Sequence, residues 1–378
     1  MAPKVIVGAE AQARGGFSAV RGKRVALVAN HTSQCSGGHL ADLLAQSGSV
    51  QLVALLAPEH GFWGQENAEF PTAPHPQLGV PVHSLYGATL KPTGEMLAEA
   101  QMLVFDIQSI GVRYYTYETT MRYCLEAAAA ARMPFVILDR PNPLGGDMVE
   151  GPVLEQGRES FVGALPVPVR HGLTIGELAL LARDWLGLEA DVRVARMEGW
   201  SRDMGHADTG LPWVAPSPAM LRPAAATVYG GTCLLEGTNL SEGRGTPDPF
   251  EVVGAPFISG LAAAAALEAA ALPGVAWEAA EFRPQRSKWA GRQCQGVRLI
   301  VKDSQAFRPV TAGVHLLSVM RSLAPGEFAW DAGDFDNLIG NAWVRDRVEH
   351  GIPPDEIVAA WQPDLRKFAE LRRRYFLY

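Results

Sequence analysis

Four apolar runs of strand length stand out in the first part of the chain, and each one ends in polar residues. They occupy positions 24–29, 52–57, 102–108 and 135–138. Apolar residues at helical spacing follow the first run, at Leu40, Leu43 and Leu44, and an alanine-rich stretch at 127–131 follows the third. Nearly continuous apolar strands that alternate with helices are typical of a mostly parallel sheet covered on both faces. The pattern therefore predicts an α/β fold that opens with a Rossmann-like, mostly parallel sheet domain.

The rest of the chain shows a second and smaller α/β pattern. Its predicted elements are an alanine- and leucine-rich helix at 259–272, a strand at 296–301, a helix at 311–323 and a C-terminal helix that carries Leu365, Phe368 and Leu371. Pro363 should interrupt that last helix, because proline removes one backbone hydrogen bond of the helix interior. We assign residues 1–190 to the Rossmann-like catalytic domain, and residues 191–378 to a smaller α/β domain that closes the cleft.

Polar side chains follow each of the four predicted strands. They are Asn30 and His31, Glu59 and His60, Asp106 and Gln108, and Arg140 and Asn142. The carboxyl ends of parallel strands share one edge of a sheet, and open α/β folds bind ligands at that edge. We therefore expect a cleft lined by these groups, with Glu59 as the first candidate for chemistry.

Two further segments carry groups that suit a sugar. Tyr115 and Tyr117 offer aromatic faces and hydroxyls, although they could instead pack the following helix against the sheet. The glycine-rich segment at 235–245 contributes two carboxylates, an amide and a guanidinium within a few positions, namely Glu236, Asn239, Glu242 and Arg244. Glycines there let the backbone approach a ligand closely.

Composition excludes several classes of protein. With 33 Lys and Arg against 40 Asp and Glu, and no basic block, the chain is not expected to bind nucleic acid. It has neither a G-x-G-x-x-G nor a G-x-x-x-x-G-K-[ST] motif, so no nucleotide cofactor is expected. The four widely spaced cysteines and the adjacent pair Glu59-His60 do not form a metal-binding motif, so no metal is expected.

The apolar segments of the chain also predict its cellular compartment. No apolar run reaches membrane-spanning length, which predicts no membrane insertion. No signal peptide is visible at the start, so the chain as written is expected in the cytoplasm, or is exported if it is a trimmed mature form.

Hydrolysis of a glycoside usually needs two carboxyl groups, one of which protonates the leaving oxygen. The candidates are Glu59, Asp106, Glu150, Glu236 and Glu242. The sequence does not give the distances between these carboxyl groups, so it leaves open the choice between a retaining and an inverting course. A serine hydrolase is less favoured, because no G-x-S-x-G elbow is present.

Ordered motifs along nearly the whole chain resemble the DUF1343 family, which is associated with NamZ-type exo-β-N-acetylmuramidases. They lie at 58–61, 105–108, 115–117, 138–143, 150–152, 168–172, 209–213 and 235–245. The resemblance implies a Rossmann-like domain joined to a smaller α/β domain, with the active site in the cleft between them. It also implies release of N-acetylmuramic acid from the non-reducing end of peptidoglycan fragments, without metal or nucleotide.

The resemblance also assigns roles to residues. It makes Glu59 the general acid/base and places four further candidates with it in the catalytic set: His60, Asp106, Glu236 and Glu242. The candidate substrate-binding residues inside the matching motifs are Tyr115, Tyr117, Arg140, Asn142, Arg170, His171, Asn239 and Arg244, and Asn30 joins them from the pattern of polar residues at strand ends. The lactyl carboxylate of muramic acid calls for a cation, which Arg140, Arg170 or Arg244 could supply.

The expected partner is thus a small carbohydrate, a muropeptide or another muramic acid glycoside. Two alternatives stand beside the glycosidase. One is a non-catalytic protein that binds muropeptides or sugars through the same cleft. The other, less favoured, is an esterase or deacetylase, which would need a nucleophile or metal that the sequence does not offer.

Overall fold

The computed structural model of the chain describes residues 5–65 and 70–378. The helices are α1 (Gly8–Arg14), α2 (Leu40–Gln46), α3 (Gly94–Leu97), α4 (Tyr117–Ala130), α5 (Ile175–Trp185), α6 (His206–Thr209), α7 (Pro223–Thr232), α8 (Gly260–Ala269), α9 (Pro309–Leu323), α10 (Ala332–Ile339), α11 (Trp343–Glu349) and α12 (Pro354–Leu371). The strands are β1 (Arg24–Ala29), β2 (Gln34–Cys35), β3 (Gly38–His39), β4 (Gln51–Ala57), β5 (Ala73–Pro74), β6 (Pro81–Ser84), β7 (Met102–Asp106), β8 (Phe135–Leu138), β9 (Glu150–Val153), β10 (Pro168–Arg170), β11 (Val192–Ala195), β12 (Val252–Ala255), β13 (Val275–Phe282) and β14 (Cys294–Val301). Within these ranges no helix has the length and apolar character needed to span a bilayer.

A seven-stranded sheet forms the centre of the first domain, in the order β11-β8-β7-β1-β4-β6-β5. Its strands run parallel, except that β5 pairs antiparallel with β6. Strands β7 and β8 are buried along their whole length, and β1 is buried except at its first residue. Burial on both faces explains why these strands read as continuous apolar runs. The predicted α/β fold with a mostly parallel sheet is confirmed.

The four strands predicted from the sequence lie side by side, as β8-β7-β1-β4. Ala29 at the end of β1 pairs with Asp106 at the end of β7, so the carboxyl ends are level. The polar residues that follow these strands therefore reach the same edge of the sheet. Which of them face a cleft depends on how they pair with one another.

Strand β11 belongs to this sheet, since it pairs in parallel with β8 along its whole length. It lies after residue 190, where the sequence placed the second domain. It has only four residues and none of them is buried, so the segment gives a weak strand signal. The first sheet thus extends past the predicted boundary.

The second domain is built on a three-stranded antiparallel sheet in the order β12-β14-β13. Helix α8 packs on β13 and β14, and α9 packs against α7, α8 and α12. Helix α12 continues through Pro363, so the predicted interruption is wrong. Proline removes only one hydrogen bond, and burial of Trp361 and Leu365 on either side holds the helix against its neighbours.

The C-terminal residues return to the first domain and are fixed there. Arg372 donates hydrogen bonds to the carbonyl oxygens of Gly146, Asp147, His171 and Gly172. The hydroxyl of Tyr378 donates to Asp139 Oδ2 at 2.9 Å, just beyond the end of β8. These contacts tie the last turn of the chain to the loops of the large sheet.

Asp139 makes this attachment dependent on pH. Burial raises the pKa of Asp139 from 3.8 to about 6, against hydrogen bonds from Thr174, Gly176 and Tyr378 that lower it. The folded state therefore favours the protonated carboxyl, and this stabilising contribution is lost as the pH rises through about 6. The difference between the two pKa values corresponds to ~3 kcal/mol in the free energy of unfolding.

We expect urea unfolding between pH 4 and 7 to show a flatter pH dependence for Asp139→Asn than for the unaltered chain, because asparagine does not titrate in this range. Tyr378→Phe removes a hydrogen bond that lowers the pKa of Asp139, so it should move the transition to higher pH. Identical slopes for all three proteins would contradict the assignment.

Candidate active site

A cavity of about 310 Å³ opens between the loops of the large sheet and the second domain. The first domain contributes residues that follow β4 and β7, and Val162 between β9 and β10. The remaining lining residues lie between Ser217 and Phe250, except Leu338 of α10. The lining residues are Glu59, His60, Tyr114, Tyr115, Thr116, Tyr117, Val162, Ser217, Tyr229, Glu236, Arg244, Phe250 and Leu338. Its size lies at the lower end of small-molecule sites, which suits a single sugar unit.

Glu59 enters the cavity from a sharp turn at the end of β4. His60 and Gly61 both adopt left-handed backbone conformations, with φ of 70° and 71°, and the Gly61 amide donates to the Pro58 carbonyl at 3.0 Å. A left-handed conformation costs a non-glycine residue energy, and such strain is concentrated at functional sites. The turn reverses the chain directly after Glu59.

The carboxylate of Glu59 is held by a hydroxyl group. Thr116 Oγ1 donates to Glu59 Oε2 at 2.6 Å. The negative charge of the Glu59 carboxylate raises the pKa of the Tyr86 phenol, which lies near it. The Thr116 hydroxyl is a neutral donor, so this contact does not pair the Glu59 carboxylate with a cation.

Tyrosines form the inner wall of the cavity. The hydroxyl of Tyr117 accepts from Asn30 Nδ2 at 3.1 Å and donates to the Pro216 carbonyl at 2.6 Å. The ring of Tyr115 meets the rings of Tyr117 and Tyr229 edge to face, with centroids 5.0 and 5.9 Å apart. Burial raises the pKa of each of these three phenols, which therefore stay neutral. The wall thus combines aromatic rings with the Tyr117 hydroxyl, which is held in place by hydrogen bonds.

The second domain supplies the charged wall. Arg244 contacts Glu236 Oε1 through Nη2 at 2.6 Å and through Nε at 3.2 Å, and its Nε lies 3.3 Å from Glu242 Oε1. Lys288 Nζ is 3.7 Å from the other oxygen of Glu242. Burial raises the pKa of Glu242, against the opposing charges of Lys288 and Arg244. Glu236 therefore faces the cavity in an ion pair, whereas Glu242 lies buried behind it.

Comparison with known proteins accounts for the whole chain. The family model described as "Exo-beta-N-acetylmuramidase NamZ, N-terminal" matches residues 25–224, and its C-terminal counterpart matches residues 227–378. The chain belongs to the NamZ exo-β-N-acetylmuramidase family. This confirms the family resemblance inferred from the sequence motifs.

Individual relatives of the NamZ family agree with this assignment. The chain is 43% identical to the peptidoglycan beta-N-acetylmuramidase NamZ of Bacillus subtilis (strain 168), over 100% of this chain and 92% of that protein. Two crystal structures of DUF1343 family proteins from Bacteroides fragilis NCTC 9343 have the same fold. The first has a TM-score of 0.93 at 33% identity, and the match covers 99% of this chain and 99% of that protein. The second has a TM-score of 0.80 at 30% identity, and the match covers 100% of this chain and 99% of that protein.

Several residues predicted for the site of this NamZ-family chain do line the cavity. They are Glu59, His60, Tyr115, Tyr117, Glu236 and Arg244. Asn30 lies directly behind them, because it is fully buried and bonded to the Tyr117 hydroxyl. The roles of these residues in binding or catalysis stay predictions.

Asp106 and Arg140 lie elsewhere and pair with each other. Arg140 donates from Nε to Asp106 Oδ1 at 2.5 Å and from Nη2 to Oδ2 at 2.9 Å. Asp106 is fully buried and Arg140 is 7% exposed. Neither lines the cavity of about 310 Å³, whereas Arg140 lines two other pockets. Their catalytic and substrate-binding roles stay predictions, and in the structure the two side chains form an ion pair.

Four further predicted binding residues make contacts that hold loops and lie outside the large cavity. Asn142 Nδ2 donates to the Leu173 carbonyl, and Asn239 Nδ2 donates to the Glu327 carbonyl. Arg170 donates to Met148 Sδ and to the Leu144 carbonyl. His171 Nε2 contacts the carboxylate of Glu118. Glu150 accepts from the Val310 and Thr311 amides and thereby caps α9. Most of these contacts satisfy backbone groups, whereas His171 meets the buried carboxylate of Glu118.

Other contributors to the site were missed by the sequence reasoning. Thr116 lies between Tyr115 and Tyr117 in the motif at 115–117, and its hydroxyl type is the signal that could have indicated a partner of Glu59. Tyr86 follows β6, whose four residues are too short and too mixed to give a strand signal. Tyr229 and Phe250 read as ordinary core residues, and only the folded chain brings them to the cavity. Among the described residues, no cluster of three or more His, Cys, Asp or Glu side chains could hold a metal ion.

Proposed function

We propose that the chain is an exo-acting glycoside hydrolase that releases N-acetylmuramic acid from the non-reducing end of peptidoglycan fragments, with Glu59 as the proton donor. The observation that carries the assignment of Glu59 is the difference between the two carboxyls that line the cavity among the described residues. Glu59 accepts a hydrogen bond from the Thr116 hydroxyl, whereas Glu236 is bound by the Arg244 guanidinium. A proton donor must exist in its neutral form, which suits a carboxyl with a neutral partner.

In this scheme Glu59 transfers its proton to the glycosidic oxygen as the bond from the anomeric carbon to that oxygen breaks. The departing sugar leaves with the proton, and water supplies the hydroxyl that the anomeric carbon gains. The other proton of that water replaces the one that Glu59 gave up, so the Glu59 carboxyl is restored at the end of the cycle. Among the described residues, Glu236 is the second carboxyl that lines the cavity and is the candidate for the opposite side of the ring.

Arg244 is the candidate for recognition of the lactyl carboxylate. It is the arginine that lines the cavity, and about a third of its side chain is exposed, at 34%. Its contacts with Glu236 and Glu242 use Nε and Nη2, so Nη1 is the nitrogen that can meet a substrate carboxylate. A hydrogen bond from a guanidinium to a carboxylate is charge-assisted and therefore stronger than one between neutral groups.

The function is tested by incubating the chain with a β-linked oligosaccharide that carries N-acetylmuramic acid at its non-reducing end. We expect free N-acetylmuramic acid as the first product, with no internal cleavage, when the digest is followed by mass spectrometry. A non-catalytic sugar-binding protein would give heat of binding in calorimetry but release no sugar, and that outcome would overturn the proposal.

Thr116→Val is expected to lower kcat on the same substrate by about tenfold, because the Glu59 carboxyl loses the hydroxyl that fixes its orientation. Thr116→Ser keeps the hydroxyl and should restore most of the rate. The comparison of kcat and KM for the two variants checks this. Normal turnover by Thr116→Val together with a loss in Thr116→Ser would show that the methyl group matters at this position, because valine keeps that group and serine lacks it.

A further inference from the structure

We propose that Tyr86 and Phe161 form the platform on which the leaving-group sugar rests, so that Phe161 determines the preference for a sugar aglycone. This inference rests on the proposed function. A proton donor must reach the glycosidic oxygen, so the leaving group has to lie beside Glu59 and outside the pocket that holds the terminal sugar. The structure assigns that place to an aromatic pair.

Tyr86 lies close to the proton donor. The negative charge of the Glu59 carboxylate raises the pKa of the Tyr86 phenol, which places the two side chains near each other. Its backbone is held by Ser84, whose hydroxyl accepts from the Tyr86 amide at 3.2 Å and donates to the Tyr86 carbonyl at 3.0 Å. The ring is only partly buried, so aromatic surface is available next to Glu59.

Phe161 extends this surface from a different loop. Its ring lies 5.9 Å from that of Tyr86, at an interplanar angle of 43°, and it is also partly exposed. Phe161 and Val162 occupy the tip of a tight turn that Ser160 and Gly163 close with two backbone hydrogen bonds, of 3.0 and 3.1 Å. Because Val162 lines the cavity, the tip of this turn lies at the cavity margin.

The turn is anchored before any substrate arrives. Arg122 of α4 donates to the Ala164 carbonyl that follows it. A platform already held in place loses little conformational entropy when it binds a ligand. A sugar ring presents a face of C–H groups, which packs favourably on aromatic rings. The fitting occupant is therefore the pyranose ring linked to N-acetylmuramic acid.

The test compares two substrates that both need the proton donor but differ in the leaving group. One is the β-linked disaccharide of N-acetylmuramic acid and N-acetylglucosamine, and the other is the methyl β-glycoside of N-acetylmuramic acid, which has no second ring. We expect Phe161→Ala to lower kcat/KM about tenfold on the disaccharide and to leave the methyl glycoside unchanged. Phe161→Tyr keeps the ring and should behave like the unaltered chain on both.

The outcomes separate the platform from its alternatives. Equal losses of Phe161→Ala on both substrates would mean that Phe161 acts by positioning Tyr86 and Glu59, and would overturn the platform. Unchanged turnover of both substrates by Phe161→Ala would overturn it too. If the unaltered chain hydrolysed neither glycoside, the proposed function itself would fail, and the platform with it. Thermal unfolding of each variant verifies that the fold is intact.

Discussion

Glu59→Gln is expected to hydrolyse the disaccharide of N-acetylmuramic acid and N-acetylglucosamine at least about a hundredfold more slowly than the unaltered chain. Glutamine has nearly the same shape, and its carbonyl oxygen can still accept the hydrogen bond from Thr116. Its amide, however, has no acidic proton to give to the glycosidic oxygen. The loss should therefore fall on kcat, with little change in KM.

The nature of the leaving group provides the sharpest control for this variant. A dinitrophenolate leaves without protonation, so the deficit of Glu59→Gln should shrink strongly on a dinitrophenyl glycoside of N-acetylmuramic acid. Glu95→Gln on the exposed surface of α3 is a matched substitution that should change neither substrate's turnover. Near-normal turnover of the disaccharide by Glu59→Gln would remove Glu59 from the role of proton donor.

The large sheet could be predicted because its central strands are buried on both faces. Such strands must be apolar at nearly every position, and β7 and β8 show this directly in the sequence. Strands β6 and β11 were missed for the opposite reason, since they are short and partly exposed. The position of Tyr86 beside Glu59 depends on β6, so this part of the site had no signal in the sequence.

The site was predicted less completely, because a polar residue at a strand end has two possible uses. It can face the cleft, as Glu59 does, or it can pair with the neighbouring strand end, as Asp106 does with Arg140. Both uses give the same local pattern of an apolar run followed by a polar residue. The choice depends on distances between segments that are far apart in the chain.

The segment at 235–245 shows the same ambiguity within a few positions. Glu236 and Arg244 line the cavity, whereas Asn239 ties its loop to the segment around Glu327 and Glu242 is buried. Nothing in the residue types separates these roles. The backbone path of the short helix at Cys233–Gly237 decides which side chains point into the cavity.

Asp106→Asn is expected to lower the free energy of unfolding by about 3–5 kcal/mol, because it removes one partner of a buried ion pair and leaves the Arg140 guanidinium uncompensated. Urea unfolding measures this loss. Since neither residue lines the large cavity, kcat per folded molecule should stay within about threefold of the unaltered chain.

A double variant distinguishes an interior ion pair from a catalytic carboxylate. Asp106→Leu combined with Arg140→Met removes both charges and keeps apolar volume, so it should recover much of the stability that Asp106→Asn loses. Its kcat should stay close to that of the unaltered chain. If Asp106→Asn instead unfolded normally but lost turnover by about a hundredfold, Asp106 would belong to the catalytic groups. The ion pair is expected to act on stability because two opposite charges at neighbouring strand ends satisfy each other before any substrate can reach them.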